Sequence, residues 1–177
     1  MNGGMSRYLK AGGFVLLAVY GILCARDVTV PRFLDRVDLV AHEAGHLFFR
    51  WFGEFVQVSG GTVGQLFVPA AFTVYFYLRR ERLSSAVTLF WVGQNLFNIS
   101  VYIKDAQAME LPLVSVGGGE DTIHDWNYLL SKVGLLRWDH AIGTMVYLLG
   151  LLVIVVAAGA GLYYSLAQGE EETDGTE

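Results

Sequence analysis

Two histidines and a glutamate lie within five positions of one another in an apolar segment of the chain. The segment is LVAHEAGHLFFRWF, residues 39–52, and the three residues are His42, Glu43 and His46. On a helix of 3.6 residues per turn, His42 and His46 are one turn apart on the same face, so both imidazoles can reach one metal ion. Glu43 projects about 100° around the helix, near the ion without being forced to ligate it. This H-E-x-x-H spacing predicts two zinc ligands and a carboxylate that accepts a proton from water.

A solvated amphipathic helix is the alternative interpretation of the same segment. Asp38, His42, His46 and Arg50 recur every four residues, which also suits a polar stripe facing water. In an apolar run near membrane depth, however, ionisable groups are costly and usually face a protein interior or a wet cavity. We therefore favour the zinc site, with Asp38 accepting the second ring proton of His42. The small residues Ala44 and Gly45 permit close approach of a second helix.

A catalytic zinc needs a third protein ligand. Four polar residues of a later segment, Asn95, Asn98, Tyr102 and Asp105, share one helical face because they are spaced at +3, +7 and +10. Asp105 is the predicted third ligand, and the asparagines can hydrogen-bond backbone or substrate. Alternatively, the amides join helices together and Asp105 pairs with Lys104.

The segment before the last apolar run offers a second source of ligands. Asp121 or Thr122 can cap a helix there, and His124 and Asp125 begin that helix and can turn toward the metal. His124 is the runner-up for the third ligand, while capping and surface polarity are the alternative roles of both residues. His140 is predicted to lie at the level of the lipid headgroups. The helix is expected to lie on the membrane surface because five of its positions are apolar, namely Leu129, Leu130, Val133, Leu135 and Leu136.

The composition is typical of a membrane protein. The 177 residues are 54% hydrophobic, and the mean hydropathy is +0.44. The net charge of -5 comes from the tail, so the rest of the chain is neutral and offers no basic surface for nucleic acid. Cys24 is the only cysteine, which excludes a disulfide framework and a cysteine-based zinc site. The five acidic residues of the tail are Glu170, Glu171, Glu172, Asp174 and Glu177.

Uncharged segments predict a polytopic, all-α membrane bundle of about four to five spans with an amphipathic interfacial helix. Residues 141–168 and 83–103 are each long enough to cross about 30 Å of hydrocarbon. Residues 55–78 are also uncharged, but their glycines and Pro69 predict a break or loop before a helix that starts near Gln65.

The amino-terminal apolar stretch, residues 8–25, is predicted to be a retained anchor. A signal peptide is the alternative, but Leu23 stands where a cleavage site needs a small residue. The basic residues at the amino end and those at 79–82 each favour a cytoplasmic location for their own segment. Both segments can be cytoplasmic only if the HEAGH segment does not fully cross the membrane. The sequence leaves the topology open.

The predicted organisation is a single helical membrane domain over residues 1–168 and a disordered acidic tail over residues 169–177. The chain is predicted to be a multi-pass integral protein of a bacterial cell membrane.

The motif LVAHEAGH on a hydrophobic segment, followed by a glycine-rich stretch and a later span with FNISVYIKDA, resembles the site-2-protease-like integral-membrane zinc metallopeptidases. By that resemblance, His42 and His46 bind Zn²⁺, Glu43 is the catalytic base, and Asp105 completes the site with Asn98 as a nearby amide.

The resemblance covers roughly residues 36–106 and implies a metalloendopeptidase that hydrolyses peptide bonds in or near the bilayer. The implied partners are membrane lipid and a membrane-anchored protein substrate, with no nucleic acid; the oligomeric state is left open. The alternative function is a non-catalytic zinc-binding membrane protein with a structural or partner-binding role.

Overall fold

The fold is all-α, as predicted. A computed structural model describes residues 3–111 and 124–174, and within these ranges the chain forms helices and contains no strand. Two short 3-10 turns, Arg50–Phe52 and Leu136–Trp138, precede the third and the sixth helix. The six helices are α1 (Gly3–Arg26), α2 (Phe33–Phe49), α3 (Glu54–Leu78), α4 (Arg82–Lys104), α5 (Asp125–Lys132) and α6 (Asp139–Asp174).

Four of the helices are long and apolar enough to span a membrane. They are α1, α3, α4 and the part of α6 that ends at Ala167. The H-E-x-x-H helix, α2, has 17 residues and is not one of these four. The last helix continues to Asp174, past residue 168 where we predicted the membrane domain to end.

The third helix corrects the sequence-based expectation of a break before Gln65. It is continuous from Glu54 to Leu78 and contains Pro69 in its interior. Proline lacks an N–H, so the carbonyl of the residue four positions earlier loses its helical donor. That carbonyl belongs to Gln65, and the side-chain amide of Asn95 in α4 donates to it at 3.1 Å. Because a neighbouring helix supplies the missing donor, the proline is accommodated without interrupting α3.

The glycines that suggested a loop in α3 serve instead as a packing surface for α2. A Cβ atom added to Gly45 of α2 would collide with the carbonyl of Gly60, and one added to Gly64 would lie 2.7 Å from the carbonyl of Ala41. The two helix backbones therefore approach closely, as small residues permit. The predicted role of Gly45 in close approach agrees with this packing, whereas Ala44 is exposed.

The fourth helix is the centre of the bundle. Phe90 and Phe97 of α4 pack with Cys24 of α1 and with α6, and Ile103 packs with Leu130 of α5. The predicted amphipathic helix thus buries part of its apolar face against the bundle. Val133, just after that helix, is exposed.

The helix directions bring the two basic segments to the same end of the bundle. In α1, Phe14 lies against Gly161 of α6, and Gly21 lies against Ile154, so α1 and α6 are antiparallel. The fourth helix is also antiparallel to α6, because its Gly93 lies against Ile154 while Ser100 lies against Gly143. Consequently α1 and α4 start at the same end of the bundle, and the basic residues near their starts are Arg7, Lys10, Arg79, Arg80 and Arg82.

Candidate metal site

Three side chains from two helices converge beside α3. The Nε2 atoms of His42 and His46 are 3.0 Å apart. Asp125, the first residue of α5, places its Oδ2 atom 2.9 Å from Nε2 of His42 and 3.1 Å from Nε2 of His46. Among the described residues, these three form a group whose ligand atoms could hold one metal ion.

Hydrogen bonds on the far side of each imidazole determine which ring nitrogen carries the proton. Nδ1 of His46 lies 2.8 Å from the carbonyl oxygen of Gln57, which can only accept, so this nitrogen is the donor. Nδ1 of His42 lies 3.0 Å from Oε1 of Gln65, whose Nε2 donates to Asn98. Both neutral imidazoles therefore direct an Nε2 lone pair at the carboxylate of Asp125. Three electron-rich atoms this close together require a cation, either a metal ion or added protons.

The dimensions of the group suit a small metal ion, as zinc illustrates. In a tetrahedral site with Zn–N bonds of about 2.0–2.1 Å, neighbouring ligand atoms are roughly 3.3 Å apart. The three observed separations of 2.9, 3.0 and 3.1 Å need only a small expansion.

Gly61 of α3 keeps the space next to both ligand nitrogens open. A Cβ atom at this position would lie 2.5 Å from Nε2 of His46 and 2.6 Å from Nε2 of His42. Any residue other than glycine would therefore place a carbon atom where a metal ion or its fourth ligand belongs. Gly61 was identified in the sequence only as part of a glycine-rich stretch.

The charges of the group are complementary. Burial favours the neutral form of Asp125, but when the group holds added protons in place of a metal ion, hydrogen bonds from His42 and His46 outweigh burial and lower the pKa of Asp125. Burial by itself would lower the pKa of His46. Asp125, the carbonyl of Gln57 and the charge of Glu43 together outweigh burial, so the pKa is raised above its ordinary value. The side chains of His42, His46 and Asp125 are 20%, 21% and 17% exposed, so small molecules can reach the group.

The structure brings Asp125 to the histidines in place of the predicted third ligand, Asp105. The carboxylate of Asp105 accepts the backbone N–H groups of Glu110 and Leu111 at 2.9 and 3.1 Å. It also lies 3.2 Å from Nε2 of His124, the predicted runner-up. The two candidates therefore pair with each other. Asp105 directly follows α4, and its carboxylate binds the loop that begins there.

His124 has the alternative role that its position suggested, that of a helix cap. Its Nδ1 accepts the N–H of Asn127 at 3.2 Å, so its Nε2 is the nitrogen that donates to Asp105. The side-chain amide of Asn127 donates to the carbonyl of Ala106 at 2.7 Å. These contacts attach the start of α5 to the end of α4 and thereby position Asp125. The other predicted caps, Asp121 and Thr122, lie outside the described residues.

Of the remaining predicted residues, one lies beside the group and two lie away from it. Glu43 is half-buried and close enough to His46 for its charge to act there. Asp38 does not accept the second proton of His42, because it faces α4 and accepts the indole N–H of Trp91 at 2.7 Å. Gln65 takes that role. The exposed side chain of His140 lies at the start of α6.

Asp38 makes folding stability dependent on pH. Burial raises the pKa of Asp38 to about 7 from an ordinary value of 3.8, despite the hydrogen bond from Trp91. Because the folded-state pKa is the higher one, stability is greatest below pH 4 and falls as the pH rises through 7. We expect the free energy of unfolding to fall by up to roughly 1.4 kcal/mol per pH unit in this window. In Asp38→Asn this part of the slope should be absent, as measured by unfolding in detergent between pH 4.5 and 7.5; equal slopes in both proteins contradict the expectation.

Comparison with known proteins adds no assignment. No protein-family model matches the chain, and neither a curated protein nor a solved structure is significantly similar to it.

Proposed function

We propose that this protein is an integral-membrane zinc metallopeptidase that binds Zn²⁺ through His42, His46 and Asp125. The observation that carries the proposal is the convergence of two Nε2 lone pairs and a carboxylate oxygen within 3.1 Å, with both Nδ1 atoms already engaged. Metal-binding histidines characteristically donate their second ring N–H in this way. Three protein ligands and an open fourth position are the arrangement of a catalytic rather than a closed structural zinc site.

The residues around the group can perform different steps of peptide hydrolysis. Zinc, when bound, polarises a carbonyl group and lowers the pKa of water toward about 7. Glu43 would accept the proton of the attacking water and pass it to the leaving amine. The absence of a side chain at Gly61 would leave room for water and the peptide carbonyl. Asp125 and the two imidazoles would hold their positions through Gln57, Gln65 and the start of α5.

The surroundings favour a substrate held in the membrane. Gly61 is seven residues from the first residue of α3, about 10 Å along the helix, so the group would lie at a shallow depth. Four helices able to cross a bilayer support a multi-pass protein. We infer that the substrate is a membrane-anchored segment that unwinds near the bilayer surface to expose its peptide bond.

A structural zinc site is the second candidate. Asp125 connects α5 to both histidines of α2, so a metal ion at this point would also tie the two helices together. This candidate predicts bound zinc and no turnover.

Metal analysis and turnover of purified variants test the proposal. We expect one zinc per chain in the unaltered protein and none in the double variant His42→Ala/His46→Ala. His140→Ala, which removes an exposed histidine, is the matched control and should keep its zinc.

Glu43→Gln should bind zinc normally and cleave a membrane-anchored, fluorophore-quencher peptide about 10²–10⁴-fold more slowly, as expected for loss of a general base. Full zinc in the double histidine variant would refute the site. Equal turnover in Glu43→Gln would refute the base, and zinc without any turnover in the unaltered protein would favour the structural candidate.

A further inference from the structure

A chain of hydrogen bonds leads from His42 away from the candidate metal site. Nδ1 of His42 donates to Oε1 of Gln65 at 3.0 Å, and Nε2 of Gln65 donates to Oδ1 of Asn98 at 2.9 Å. Nδ2 of Asn98 is 3.5 Å from Oδ1 of Asp35. The hydrogen-bonded chain therefore passes from α2 to α3, then to α4, and returns to the same face of α2 two turns before His42. The helical spacing of polar residues identified Asn98, whereas Gln65 stood out only as the predicted start of a helix.

Asp35, at the end of this series of hydrogen bonds, determines which group donates at every step. An ionised carboxylate such as Asp35 can only accept, so Asn98 must present its NH₂ group to it. The oxygen of Asn98 then faces Gln65, and the oxygen of Gln65 faces His42. Each group donates toward the carboxylate, and His42 is left with its proton on Nδ1 and its lone pair on Nε2.

Asp35 is itself held firmly at the start of α2. Its second oxygen accepts the backbone N–H of Arg32, as in a capping box, and Nε2 of Gln94 donates to Oδ1 at 2.6 Å. Gln65 is 3% exposed, so its two side-chain hydrogen bonds lie in a medium where such bonds are strong. The other histidine has no comparable chain, because Nδ1 of His46 donates directly to a backbone carbonyl.

We propose that Gln65, Asn98 and Asp35 are positioning residues that hold His42 in its metal-binding tautomer and orientation. In many metal sites a carboxylate bonds directly to the ligand histidine. In this protein two carboxamides lengthen that connection between the imidazole of His42 and the carboxylate of Asp35. The proposal rests on the proposed metal site and deepens it.

Zinc and cobalt binding by the purified protein test this relay, the hydrogen-bonded series Gln65, Asn98 and Asp35. In Asn98→Leu we expect the Kd for Zn²⁺, from competition with a chromophoric chelator, to rise about 10- to 100-fold, the usual effect of losing an outer partner. The d–d spectrum of bound Co²⁺ should change as well, because His42 becomes free to rotate. Ser100→Ala is the control: it removes a buried side-chain hydrogen bond of the same helix, donated to the carbonyl of Phe97 and outside the relay. Its Kd should stay at the value of the unaltered protein.

A rescue variant separates this role from simple packing. Asp35→Asn/Asn98→Asp moves the carboxylate one step closer to Gln65: Gln65 still donates to position 98 and His42 still donates to Gln65, while the bond between positions 35 and 98 reverses. We expect zinc affinity and the cobalt spectrum to return to those of the unaltered protein. If Asn98→Leu does not fold, Gln65→Met breaks the same chain at its other end.

Two results would overturn the relay: an unchanged Kd in both Asn98→Leu and Gln65→Met, or a rescue variant no better than Asn98→Leu. Either result leaves the metal site intact provided that His42→Ala loses zinc. If His42→Ala binds zinc as tightly as the unaltered protein, the proposed site itself fails.

Discussion

Replacing Asp125 with asparagine should raise the Kd for zinc by more than about 100-fold, beyond the roughly 10- to 100-fold loss caused by removing an outer partner. The amide has nearly the size of the carboxylate, but it brings no charge to the two imidazoles and is a weak zinc ligand. The measurement is a competition titration with a chromophoric chelator on the purified protein, with thermal unfolding of the metal-free form as a check on folding.

Asp105→Asn is the informative comparison for this prediction. The amide oxygen can still accept one backbone N–H, as from Glu110, but the new NH₂ group would face the N–H of Leu111 and Nε2 of His124, so the loop after α4 and the start of α5 should be less firmly held. We expect a smaller rise in the Kd for zinc than in Asp125→Asn, because Asp105 acts on the site only through the position of α5. The opposite pattern, with zinc lost from Asp105→Asn and retained by Asp125→Asn, would return the third ligand to Asp105.

Gly61→Ala should abolish stoichiometric zinc binding although it removes no ligand. The added methyl carbon would lie 2.5 and 2.6 Å from the two Nε2 atoms, within the space that an ion about 2.0–2.1 Å from each nitrogen must occupy. Alanine is favoured over glycine in a helix by about 1 kcal/mol, so α3 itself should not be weakened by the change. Metal content measured on purified protein gives the answer directly.

Two other glycines provide the controls for this experiment. In Gly60→Ala the added carbon meets Phe49 and the carbonyl of Gly45, so it disturbs packing between α2 and α3 without touching either imidazole. Gly159 of α6 has no heavy atom within 4 Å of an added Cβ, and its alanine variant should behave as the unaltered protein. Normal zinc content in Gly61→Ala would show that the metal does not lie between the histidines and α3.

The predicted helical membrane architecture agrees with the structure because its signals are local. An uncharged segment of 21 or 28 residues is long enough to cross a bilayer wherever it occurs in the chain, and α4 and α6 correspond to those two segments. The expectation for α3 failed for the opposite reason. Glycine and proline disfavour an isolated helix, but here Gly60 and Gly64 pack on α2, and Asn95 replaces the donor that Pro69 lacks.

The relative directions of the helices could also be determined only from the tertiary structure. The two basic segments gave orientation signals that the sequence could not reconcile without knowing whether α2 crosses. Contacts of α1 and α4 with α6 place both segments at the same end of the bundle. Helix direction depends on which faces pack together, and no short segment contains that information.

By itself, the sequence determined that His42 and His46 lie on one helical face with Glu43 beside them, because four-residue spacing on an α-helix is a local geometric property. Only the tertiary structure decided which acid meets them. Asp125 is 83 positions from His42 and reaches it because His124 and Asn127 attach the start of α5 to the end of α4. Periodicity along one helix identified Asp105 as a candidate but could not show that its carboxylate is occupied by the loop that follows it, since that depends on the path of the chain in space.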